Sequence, residues 1–79
     1  MAYLYIYPNP TTGIFTINSK KIITSIKLIN LLGQVVYEGN NLNATEIQNN
    51  ALQYQQNGAY TIIILFNDFS ISNFKIIKM

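Results

Sequence analysis

The sequence has neither cysteine nor histidine. No disulfide can support the fold, and the commonest zinc ligands are missing. Arginine is absent as well: all five basic residues are lysines, and they are scattered. A nucleic-acid interface gathers its basic residues into a stripe and uses arginine for bidentate contacts. Here Lys20-Lys21 is the only adjacent pair, and it reads as a solvated turn, so no nucleic-acid partner is expected. Acidic residues are scarcer still, only Glu38, Glu46 and Asp68, with no two close in sequence. That pattern offers no carboxylate pair for acid–base work. A serine or threonine nucleophile would have only lysine as its base, and no Ser-x-x-Lys arrangement falls on a helix. Neither catalysis, a cofactor nor a small-molecule substrate is expected. Asp68 supplies one oxygen-rich side chain where calcium needs about six to eight ligands, so no metal is expected either. Long apolar runs are also lacking. "TIIILF" (Thr61–Phe66) is far short of the roughly 20 residues of a membrane-spanning helix. "AYLYIY" (Ala2–Tyr7) has no basic start and is stopped by Pro8, unlike a signal peptide.

What remains is a chain of 79 residues rich in isoleucine and asparagine, whose polar surface is amide and hydroxyl rather than charged. It is long enough for one domain with a thin core. The hydrophobic period is two. Phe15 and Ile17 share a face, as do Ile26 and Leu28, and "ATEIQN" (Ala44–Asn49) alternates around Ile47. "AYTIIILF" (Ala59–Phe66) is apolar on both faces and reads as a central strand. In "SISNFKIIKM", Phe74 and Ile76 share one face, Lys75 and Ile77 the other. Turn-forming residues at Pro8–Gly13, Ser19–Lys21, Leu32-Gly33, Gly39–Asn43, Gln55–Gly58 and Asn67-Asp68 separate these runs. The spacing predicts an all-β domain, an immunoglobulin-like β-sandwich of about seven antiparallel strands, beginning with Tyr3–Tyr7. Low charge on β-rich segments leaves edges weakly guarded, so weak self-association through edge strands is expected.

The stiffest segment is "YPNPTTGIFTIN" (Tyr7–Asn18). Pro8 and Pro10 fix φ and donate no N–H, which ends the first strand. The residue before each is pushed to extended backbone, and Asn9 can bond its own backbone in an Asx-turn. Gly13 can take positive φ where the next strand begins. These residues make a rigid corner that delivers "IFTIN" in a fixed direction.

"YPNPTTGIFTIN", "IKLINLLGQVVYE", "LQYQQNGAYTIII" and a terminal "FKIIKM" follow one another in a set order and spacing. This ordered set resembles the type A C-terminal sorting domain of proteins exported by the type IX secretion system of Bacteroidota, over Tyr5–Met79. The resemblance implies a non-catalytic, folded secretion signal at the C-terminus of a larger cargo protein. It implies cargo that folds in the periplasm and is then directed through the outer membrane to the cell surface or medium. The implied partners are the outer-membrane secretion machinery and a sortase-like peptidase that often removes the domain. Residues 1–79 are then a single sorting domain excised from a longer protein, with Met1-Ala2 as an added start.

The resemblance marks Pro8, Asn9, Pro10 and Gly13 in the first motif, and Lys75 and Lys78 at the basic chain end, as candidates for receptor recognition. Each also has a plain structural reading: a corner for the first four, solvated edge lysines for the last two. Lys78 is expected to be freed by fraying. Gly33 reads as a hairpin residue with positive φ, Gly58 as the opening of the long strand, and Tyr60 as core or rim. A reading from another class is a carbohydrate-binding or adhesion module. Tyr3, Tyr5 and Tyr7 share one face at period two, like a sugar-stacking platform, although packing of that face into the domain is the simpler expectation.

Overall fold

The computed structural model describes residues 3–79. The expectation for Met1-Ala2 lies outside the described residues. Six strands are present: β1 (Leu4–Tyr7), β2 (Phe15–Ile29), β3 (Val35–Gly39), β4 (Ala44–Asn49), β5 (Gly58–Phe66) and β6 (Ile71–Lys78). All strand pairs are antiparallel. The all-β architecture is as the period predicts.

The strand count differs from seven because Ser19–Lys21 does not interrupt the chain. β2 runs through it for 15 residues. Its first half pairs β1 on one side and β4 on the other. Its second half pairs β3 and β5, and β6 follows outside β5. One strand thus serves two layers. Pairing shifts between Asn18 and Ile23, and again between Ile23 and Ser25. The second shift leaves Thr24 as an extra residue, its Oγ1 donating to the Leu65 carbonyl at 3.1 Å. An extra residue in one strand flips the alternation. Buried positions are accordingly odd before it (Phe15, Ile17, Ile23) and even after it (Ile26, Leu28).

Both halves of β2 face a single core with Ile6, Leu52, Ile62, Ile64, Phe66 and Ile76. The central strand β5 buries Tyr60, Ile62, Ile64 and Phe66, while Thr61, Ile63 and Leu65 are half-buried on its other face. Along β1 it is Ile6 that turns inward. Tyr3, Tyr5 and Tyr7 stand out at 44%, 60% and 49% exposure. The packing expected for the tyrosines is therefore reversed: the aliphatic side chains take the inner face, and the phenol hydroxyls stay where water can bond them.

The β5–β6 turn is held by Asp68. Its Oδ1 accepts from the Ser70 amide (2.9 Å) and hydroxyl (2.5 Å), and its Oδ2 lies 3.1 Å from Lys21 Nζ. These carboxylate oxygens close a turn. Hydrogen bonds from Ser70 first, then from Lys21, hold the carboxyl below its ordinary 3.8, at about 2. A carboxylate lowered in the folded state stabilises it fully above the unfolded value, and that contribution is lost as pH falls through the folded one. The turn is expected to loosen as pH drops from 3.8 towards about 2. The Ser70 amide resonance in an NMR titration should move in that window. An amide that stays unmoved there would disprove the assignment.

Candidate functional site

Proline has no amide hydrogen and cannot continue a ladder. After Tyr7 the chain therefore leaves the β1–β2 pair, with both the Tyr7–Pro8 and Asn9–Pro10 bonds cis. It does not become a free loop. It runs along the outer edge of β6, the side turned away from β5.

There Asn9 uses its side chain as a substitute peptide group. Its Nδ2 donates to the Lys75 carbonyl, and its Oδ1 accepts from the Ile77 amide, both at 2.9 Å. The Asx-turn expected for Asn9 gives way to this long-range pairing. Backbone then takes over. The Thr11 amide donates to the Ile77 carbonyl (2.8 Å), and the Met79 amide donates to the Thr11 carbonyl (2.9 Å). Thr11 and Lys78 form a parallel bridge. An open edge strand exposes unpaired amides and carbonyls that recruit other chains. Asn9 and Thr11 close that edge over Lys75–Met79.

Thr11 anchors the corner from inside. It is buried, its Oγ1 donating to the Ile14 carbonyl (2.7 Å) and accepting from the Gly13 amide (3.0 Å). Gly13 has φ +138°, and a Cβ there would stand 2.5 Å from the backbone Cα of Gln53. The corner is thus wedged between β6 and the β4–β5 connection, which is pinned by the fully buried Leu52.

Two groups of candidates, far apart in sequence, meet here. Asn9 and Lys75 are 66 residues apart and hydrogen-bonded. Pro8, Asn9, Pro10 and the Lys75 side chain are exposed, and Gly13 is buried. Lys78 departs from its expected frayed state. The Thr11 bridge holds its backbone, and its Nζ donates to Asn57 Oδ1 at 3.2 Å. Gly58 pairs with Lys78 across β5–β6. Gly33 has φ +83° in the β2–β3 turn, where its amide donates to the Asn30 carbonyl. Tyr60 is buried, its hydroxyl donating to the Gln56 carbonyl at 2.6 Å.

The residue that sequence reasoning passed over is Thr11. A threonine hydroxyl two residues before a glycine is a local turn signal, and it was available in "TTG". Among the described residues no group of three or more acidic side chains could hold a metal ion. No described helix is long and apolar enough to cross a membrane.

A family model described as "Secretion system C-terminal sorting domain" matches residues 5–78. No curated protein matches the chain.

Proposed function

We propose, from the premise that this chain belongs to the secretion system C-terminal sorting domain family, that it is a folded address read at the corner docked on its last strand. Membership makes the chain a sorting signal of type IX secretion, and implies contact with the secretion machinery and export to the cell surface or extracellular space. The finer reading has four parts. Residues 1–79 act as one unit at the end of a cargo protein. The cargo passes through the periplasm. The outer-membrane machinery recognises Pro8–Pro10 together with Lys75 and Lys78. A sortase-like peptidase then removes the domain, which itself catalyses nothing.

The observation that carries this reading is the pair of hydrogen bonds from Asn9 to the backbone of β6. They place exposed Pro8 and Pro10 beside exposed Lys75, so one receptor surface can touch both motifs only after folding. A rigid corner suits such use, because little conformational entropy remains to be lost on binding.

A periplasm-directed reporter fused ahead of Tyr3 is expected to reach the surface or medium of a host with this secretion system. It is expected to stay periplasmic when the translocon is disabled. Fractionation measures both, and equal export from the two strains would sink the proposal.

A further inference from the structure

The outer face of β1, β2 and β4 lies at the opposite side of β1 from its buried Ile6. Strand register arranges it in rows. Tyr5, Asn18 and Glu46 stand side by side, as do Tyr7, Thr16 and Gln48. Neighbouring strands are about 4.8 Å apart, so Tyr5 has the Asn18 carboxamide and Tyr7 the Thr16 hydroxyl one strand spacing away, with Glu46 and Gln48 one strand further. Tyr3 extends the stripe, with its ring centroid 5.4 Å from that of Tyr5 and the planes inclined by 30°. Asn18 Nδ2 donates to Glu46 Oε1 at 2.9 Å. That bond holds both side chains and leaves Asn18 Oδ1 and Glu46 Oε2 as acceptors with no hydrogen-bond partner among the described residues.

We propose that this face binds a neutral, flat oligosaccharide of β-1,4-linked hexopyranoses. A pyranose ring presents apolar C–H groups on its face and hydroxyls around its rim. The first match the tyrosine stripe. The second match the Asn18, Glu46, Thr16 and Gln48 row, which offers donors and acceptors but no aliphatic side chain. Tyrosine also suits a protein interface; what favours a sugar is the row beside the tyrosines, whose amide, hydroxyl and carboxylate side chains include no leucine, isoleucine, valine or phenylalanine. The three exposed tyrosines also lie in one stripe rather than scattered singly, the pattern that marks an interaction or ligand site. The Glu46 carboxylate disfavours acidic sugars and nucleic acid. This site adjoins the proposed sorting address, since Tyr7 precedes Pro8, but shares no residue with it.

The test is an NMR titration of the 79-residue chain with cellohexaose, with maltohexaose as the curved, α-linked comparison. Saturable shifts are expected at Tyr5, Tyr7, Asn18 and Glu46, and weaker binding to maltohexaose. Tyr5→Ala should raise Kd about tenfold or more with an unchanged melting curve, because Tyr5 is exposed. Glu46→Gln keeps the oxygen that Asn18 uses and should weaken binding less. Tyr54→Ala, on the exposed β4–β5 connection, should bind as the parent does. The proposal is overturned by the absence of saturable shifts, by Tyr5→Ala binding like the parent, or by equal affinity for maltohexaose. Shifts of the same face that follow protein concentration without sugar would also overturn it, in favour of a second copy of the chain.

Discussion

Gly13→Ala is expected to lower the melting temperature by at least about 10 °C and to abolish export. Two costs act at one atom. The backbone stands at φ +138°, where an alanine stores roughly 1–3 kcal/mol of strain. The new Cβ would also sit 2.5 Å from the Gln53 Cα. That neighbour is backbone in a connection pinned by buried Leu52, so it yields at a cost of roughly 1–3 kcal/mol. A chain of this length holds on the order of 4–12 kcal/mol in total, and each kcal/mol lost shifts Tm by about 4–8 °C. Gly33→Ala is the control. It too has positive φ, +83°, but nothing lies within 4 Å of its added Cβ. It should cost about 1–2 kcal/mol, the left-handed penalty alone. Melting curves of the two variants separate conformation from contact. Equal losses would mean that the approach of Gly13 to Gln53 is unimportant. Export is expected to fail as well, on the proposal that the corner is the address, because the segment that carries Asn9 would no longer be held against β6.

The sequence pattern reveals whatever a single strand decides for itself, and conceals what its neighbours decide. Phe15 with Ile17, Ile26 with Leu28, and Phe74 with Ile76 take the faces that their alternation predicts. β4 has the predicted bounds, since one buried side imposes the period locally. Ser19–Lys21 misleads because polar and basic residues also fit within a strand: Lys20 is exposed, and Ser19 is buried with its hydroxyl accepting from the Lys21 amide. Only the partners of β2 keep the strand going there, and only the extra residue Thr24 explains why its buried positions change parity. On β1 the period shows that the tyrosines share a face but not which face is inside, since both faces are apolar. At the corner, stiffness and the positive φ of Gly13 can be read from residue type. The docking of Asn9 on β6 cannot, because a bond between residues 66 apart depends on the completed fold. The resemblance to sorting domains marked both ends of that bond without indicating that they touch.

That contact gives the sharpest separation of address from fold. Ile76 is fully buried and pairs with Tyr60 across β5–β6. Ile76→Ala should cost about 2–5 kcal/mol, a large share of the total, and export should fail because the domain unfolds. Lys75 and Lys78 behave differently. The corner uses the carbonyl of Lys75 and the backbone around Ile77 and Met79, never the lysine side chains. Replacing both lysines with alanine leaves every one of those bonds in place. Lys75 is exposed and its loss should change stability by roughly ±0.5 kcal/mol. Lys78 gives up one exposed hydrogen bond to Asn57, about 1 kcal/mol at most. The double variant should therefore melt within a few degrees of the parent. If its ammonium groups are read by the receptor, it should nevertheless accumulate in the periplasm. Melting of the isolated chain and fractionation of the fused reporter, measured side by side, give the answer. A variant that melts and exports like the parent would show the lysines to be solvated surface, and would leave the exposed Pro8–Pro10 corner as the part of the address that is read.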